Sequence, residues 1–124
     1  REAVAKRYSS LLEDAARQLP SGVLRLPAVN SEYRSAWAQY TLRLSNRDKI
    51  QDALRDANVP TTVYYPLPLS RQKAVGSSGN KVPQSEKACR EVISLPMHPY
   101  LEESAQREVV SEVLSALTVA EVNI

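Results

Sequence analysis

The chain contains no phenylalanine, one cysteine, one histidine, one tryptophan and three glycines in 124 residues. A single thiol, Cys89, excludes an internal disulfide framework and suits a reducing compartment. One histidine and one cysteine, nine residues apart, cannot supply the ligand set of an ordinary zinc site. The glycines at 22, 76 and 79 form no phosphate-cradling fingerprint. Ser70 lacks the glycines of a nucleophile elbow. No apolar run approaches the roughly 20 residues of a membrane helix, and no signal peptide is visible. Charge of one sign is also missing. The 16 basic and 14 acidic residues are interspersed, which argues against a nucleic-acid face. What is abundant is tyrosine, with six residues, and proline, with eight.

Periodicity places the helices. Val4, Tyr8, Leu11, Leu12, Ala15 and Leu19 recur at three- and four-residue steps, predicting a helix over 1–19 that Pro20-Ser21-Gly22 ends. A second helix, capped by Ser45 or Asn46, carries Ile50, Ala53, Leu54 and Ala57 and stops at Asn58, a residue that tolerates a left-handed turn. Pro83 opens a third, short helix through Cys89, expected as a small core residue. The last helix runs from about Glu102 to Leu117, with Val109, Val110, Val113, Leu114 and Leu117 as its buried stripe. A tail over 119–124 follows.

Between these lie the extended pieces. Val23–Pro27 is short. Ser35–Leu44 alternates, with Ala36, Ala38, Tyr40, Leu42 and Leu44 on one face and Trp37, Gln39, Thr41 and Arg43 on the other. Thr61–Tyr65 is β-branched and aromatic, and Ile93-Ser94-Leu95 is cut off by Pro96. The order predicts an α+β fold: a two-layer sandwich with a small mixed or antiparallel sheet packed with helices mostly on one side.

The stretch Pro60–Gln72, PTTVYYPLPLSRQ, is the focus of the functional reading. Pro66 and Pro68 cannot continue a ladder, so the strand must stop just after Tyr64 and Tyr65. By residue type both tyrosines belong in the core. An abrupt stop also suits a ligand wall at the start of a loop. Ser70–Val82 reads as a long mobile loop in which Arg71 and Lys73 either meet anions or are solvated. His98, in the rigid turn Pro96–Tyr100, either hydrogen-bonds a substrate group or has a structural role. Trp37 covers a domain or subunit contact, or is covered by a helix of this chain. The lysines at 6, 49, 73, 81 and 87 fall on helices or polar loops, none at an apolar strand end that would depress its pKa for Schiff-base chemistry. No complete active site is readable.

Three stretches in fixed order, Ser35-Ala36-Trp37-Ala38-Gln39-Tyr40-Thr41, then Tyr65-Pro66-Leu67-Pro68-Leu69, then Ser94-Leu95-Pro96-Met97-His98-Pro99-Tyr100-Leu101, resemble the C-terminal part of the nucleotide-sugar aminotransferases of the DegT/StrS type. These enzymes depend on pyridoxal phosphate (PLP). The resemblance extends over nearly all of the chain and implies the small domain of a fold-type I aminotransferase. On that implication, residues 1–19 form a connecting helix, 20–118 the α+β sandwich and 119–124 a tail. A large N-terminal domain, absent here, would hold PLP on its lysine. The family acts as cytoplasmic homodimers that move an amino group from glutamate to a keto-sugar nucleotide in polysaccharide and nucleotide-sugar biosynthesis. The resemblance puts Tyr64, Tyr65 and Gln72 on the substrate side, leaves His98 structural or substrate-side, and assigns this chain no catalytic, cofactor or metal residue. Some members carry histidine where Tyr64 or Ser70 stands here, so the sugar is not read from either. Arg1 falls inside the first helical pattern, which suggests a piece of a longer protein. The alternative is a freestanding, non-catalytic α+β interaction or regulatory module.

Overall fold

The computed structural model describes residues 1–75, 79 and 81–122, with side chains up to residue 120. The elements are α1 (Glu2–Gln18), β1 (Leu24–Arg25), β2 (Tyr40–Leu44), α2 (Arg47–Asp56), α3 (Pro83–Glu91), β3 (Val92–Leu95) and α4 (Glu103–Val122), with a short 3-10 turn over Leu69–Arg71. The sheet order is β1-β2-β3 and both pairings are antiparallel, so the described sheet is not mixed. Register places Leu24 opposite Leu44, Leu42 opposite Ile93 and Tyr40 opposite Leu95, all buried on one face. Thr41 pairs with Ser94 and Arg43 with Val92 on the other. Two-sidedness of this kind is what alternation along a half-covered antiparallel strand encodes.

α1 buries Val4, Ala5, Tyr8 and Leu12, one stripe at helical spacing. α4 lies against both α1 and α2. Its buried line includes Val109, Val110, Val113, Ala116 and Leu117, and it continues through Ala120. A tail from 119 is therefore not observed: helical spacing carries Ala120 back to the core, and the helix runs to Val122. α2 ends as its composition suggests. Asn58 takes φ 58°, and Val59 N–H reaches the Leu54 carbonyl at 2.8 Å while Asn58 N–H reaches that of Arg55 at 3.0 Å. This is the double bond of a Schellman stop, with buried Val59 as its apolar contact. Asn46 holds the N-cap position of α2 without a side-chain cap bond. Pro83 starts α3, and Cys89 is buried.

Two extended segments are shorter than alternation predicts. Strand structure begins at Tyr40, because Trp37 adopts φ 48° and breaks the pleat that Ser35–Gln39 would need. Thr61–Tyr65 reduces to a single bridge in which Thr62 and Ser94 exchange backbone bonds of 3.1 and 2.8 Å. Prolines at 60, 66 and 68 leave too few consecutive donors for a longer ladder.

The helical layer is sewn together by one buried polar side chain. Gln106 is 0% exposed; its Nε2 donates to the Val4 carbonyl at 2.7 Å and its Oε1 accepts from Arg7 at 3.0 Å. Gln106→Leu keeps the volume and discards both bonds, so it should lower unfolding free energy by about 1–3 kcal/mol. Urea denaturation of the two proteins measures this, and equal midpoints would show that the bridge between α4 and α1 is energetically idle.

Candidate substrate-binding site

After its bridge to Ser94 the chain leaves the sheet at a proline-bounded segment. Tyr64 and Tyr65 are not core residues: they are 52% and 65% exposed. The residue-type expectation fails because Pro66 and Pro68 hold the backbone extended and carry the rings away from the sheet. Leu67 and Leu69 are exposed as well, so the segment presents a contiguous apolar strip. Pro68, itself buried, anchors it. The turn Leu69–Arg71 follows, and Arg71 donates to Glu86 of α3 at 2.8 Å, so this guanidinium is engaged within the chain. Gln72 is exposed just beyond. Of the predicted loop, residues 76–78 and 80 lie outside the described residues.

Two clefts flank this segment and share Pro60 and Pro96. The smaller, about 170 Å³, is lined by Gln39, Thr62, Tyr64, Ser94 and Met97 among others. The larger, about 590 Å³, is lined by His98, Leu101, Val109, Glu108 and Glu112 among others. Tyr64 and His98 thus face different clefts, and neither Tyr65 nor Gln72 lines either one. The His98 carbonyl accepts the Leu101 N–H at 3.3 Å, closing the turn before α4. By pattern Gln39 is a strand residue, and it belongs to the first of the three family-like stretches, but neither reading makes it a site residue. Its place in the smaller cleft follows from the break at Trp37, which no periodicity announces.

A buried tyrosine pair stands behind these clefts. The Tyr8 and Tyr40 rings are 4.9 Å apart, and Trp37 stacks on Tyr40 at 5.8 Å. Tyr8 donates to the Pro96 carbonyl at 2.8 Å, and the Tyr40 hydroxyl pairs with Ser9 at 2.9 Å. Burial pushes the Tyr8 phenol well above its ordinary range, with Tyr40 adding to the effect. Burial also raises Tyr40, against a smaller opposing pull from Ser9. Neither hydroxyl is suited to proton transfer near neutral pH.

Residues 1–114 match the model of the DegT/DnrJ/EryC1/StrS aminotransferase family. The chain belongs to that family. It is 47% identical over 76 residues to a UDP-2-acetamido-2-deoxy-3-oxo-D-glucuronate aminotransferase of Pseudomonas aeruginosa, covering 61% of this chain and 21% of that one. It is 40% identical over 112 residues to the pleiotropic regulatory protein of Geobacillus stearothermophilus, covering 88% of this chain and 29% of that one. Among solved structures, the aminotransferase TlmJ of Streptoalloteichus hindustanus superposes with a TM-score of 0.82 at 30% identity, over 96% of this chain and 31% of that one. S. venezuelae DesV does so with 0.83 at 27%, over 94% and 30%. The chain therefore spans between a fifth and a third of these family members.

Within that family context, the described residues do not fit PLP by themselves. All five lysines, at 6, 49, 73, 81 and 87, are exposed, whereas a Schiff-base lysine works in a desolvated or charge-crowded setting. Among the described residues no group of three or more His, Cys, Asp or Glu side chains could hold a metal ion, and no helix is long and apolar enough to cross a membrane.

The tyrosine pair sets an alkaline limit. A phenol whose folded-state pKa is raised keeps its proton longer in the folded than in the unfolded chain, so its contribution is complete below the unfolded value near 10 and is lost as pH climbs beyond it. Wild type should lose stability steeply between about pH 10 and 12, and Tyr8→Phe less steeply. Denaturation midpoints across that range, with phenolate absorbance as the probe, decide it: parallel profiles for the two proteins would remove Tyr8 from the account.

Proposed function

We propose that the chain is the C-terminal small domain of a PLP-dependent aminotransferase that moves an amino group from glutamate to a keto-sugar nucleotide in nucleotide-sugar and polysaccharide biosynthesis. The family match over residues 1–114 carries this reading. It is supported by relatives named as transaminases of UDP- and dTDP-linked sugars. In this reading α1 is the connecting helix, the sandwich packs on a large domain that holds PLP, and the enzyme works in the cytoplasm as a homodimer. This chain alone is inactive, since its lysines are solvated.

Tyr64, Tyr65 and Gln72 form the substrate-facing edge. Their side chains are exposed, and no other described side chain hydrogen-bonds them, so their donors and acceptors are free for sugar hydroxyls or a uronate carboxylate. The apolar strip Tyr64–Leu69 gives the large domain or the partner subunit a surface to cover. His98 is structural, its carbonyl closing the turn ahead of α4.

A second reading, a non-catalytic regulatory module, has one specific observation in its favour: the relative that matches 88% of this chain is named a pleiotropic regulatory protein. The two readings separate on chemistry. The intact protein should bleach a cofactor band on adding glutamate, and a regulatory module should not. Tyr65→Phe should then slow the keto-sugar half-reaction about tenfold, the worth of one hydrogen bond, and spare the glutamate half-reaction. Stopped-flow measurement of each half checks this, and equal loss in both would remove Tyr65 from the substrate side.

A further inference from the structure

The backbone at Trp37 is strained. A bulky residue at φ 48° costs about 1–3 kcal/mol and persists only where its surroundings over-determine it. Three contacts do so here. The indole stacks on Tyr40, the Trp37 N–H donates to Ser35 Oγ at 3.1 Å, and the Trp37 carbonyl accepts from the Arg1 guanidinium at 3.1 Å. The same guanidinium reaches the Ala38 carbonyl at 3.4 Å. The effect is local and directional. The residues before β2 leave the strand path, and Gln39 becomes part of the wall of the smaller cleft, which Thr62, Tyr64 and Met97 also line.

Gln39 is half-buried there, and among the described residues its carboxamide makes no hydrogen bond. The Tyr64 and Thr62 hydroxyls are equally unengaged. The Gln39 amide is open to solvent, so two donors and an acceptor stand ready to pair with a ligand. No Lys, Arg, His, Asp or Glu lines this cleft, so it brings neutral donors and acceptors and no charge to what it holds. Its volume of about 170 Å³ is below the roughly 300–1,000 Å³ of a site that encloses a whole ligand. It takes one substituent.

We propose that Gln39, in the wall of the cleft that Tyr64 also lines, reads an uncharged polar substituent of the sugar, a hydroxyl or an acylamino group, and so helps decide which keto-sugar nucleotide is accepted. Trp37 is the positioning residue, through the strained turn that sets Gln39 in the wall. This rests on the aminotransferase reading above. A carboxamide matches either group because it donates and accepts at once, and a site built for such pairing rejects analogues that leave it unpaired.

The test uses the intact aminotransferase that contains this chain, with UDP-N-acetyl-3-dehydro-α-D-glucosamine as the probe, the sugar named for the Acidithiobacillus ferrooxidans relative. Gln39→Leu should raise KM for this probe about tenfold and leave the glutamate half-reaction within about twofold of wild type. Gln39→Met should behave alike and serves where the leucine variant does not fold. An unchanged KM, or parallel loss in both half-reactions, overturns the assignment of Gln39. Wild-type turnover of glutamate without acceptance of this acetamido sugar overturns the substituent class. Absence of any glutamate half-reaction in wild type overturns the aminotransferase reading, and this inference with it.

Discussion

The Tyr8–Tyr40 contact is the constraint on which the other features depend. Tyr40 is the first residue of β2 and is 0% exposed; Tyr8 lies at the middle of the buried stripe of α1 and is equally enclosed. Their rings meet at 4.9 Å, a contact worth about 0.5–1.5 kcal/mol beyond its buried area. Each hydroxyl must then find a partner inside the protein. Tyr40 takes Ser9 on α1, and Tyr8 takes the carbonyl of Pro96, where β3 ends. One aromatic pair therefore registers the first helix against the central strand and against the turn that leads to α4. With phenylalanine absent from the chain, this part of the core has aromatic bulk only with polar tips attached, and those tips fix where the neighbouring backbone can lie.

The candidate site depends on the same pair. Trp37 is held in its strained conformation partly by stacking on Tyr40, and the bond from Tyr8 to Pro96 fixes one of the two residues that both clefts share. Bonds to Ser35 and Arg1 add to the constraint on Trp37. The strain at Trp37 is sustained because several independent contacts oppose its relief, the usual condition for a non-glycine residue at positive φ. A rigid wall at the edge of a small sheet is the outcome, next to a proline-bounded segment that keeps Tyr64 and Tyr65 in solvent.

How much of this was legible follows from which forces act locally. Helices α1, α2 and α4 were readable because each buries a single stripe, and the stop at Asn58 and the start at Pro83 are backbone chemistry of single residues. The break at Trp37 was not, since Ser35–Leu44 alternates well enough for a full strand, and the contacts that hold the turn, from Ser35, Tyr40 and, more than thirty residues away, Arg1, leave no periodic signal. Residue type alone favours the core for Tyr64 and Tyr65, and the prolines beside them, which suit a ligand wall, carry the message that agrees with their exposure. Sequence stops seeing the fold where long-range side-chain contacts override local pattern.

The chemistry shows a sharper divide. Family membership was readable from three short stretches because their order and spacing are jointly specific, while no single one is. The residues of those stretches fall at the same edge of the described structure: Gln39 from the first and Met97 from the third line one cleft with Tyr64, which directly precedes the second. That convergence is the physical content of the motif order. Segments separated by more than fifty residues are brought to one wall by a three-stranded sheet whose middle strand begins at Tyr40 and whose edge ends at Leu95. What the wall lacks is a reactive group. Its lining is hydroxyls, an amide and apolar side chains, suited to choosing a partner and not to transforming one. On the proposed function this wall selects substrate and bond-making falls to a group on the large domain, a division to which the exposure of all five lysines is the complementary half.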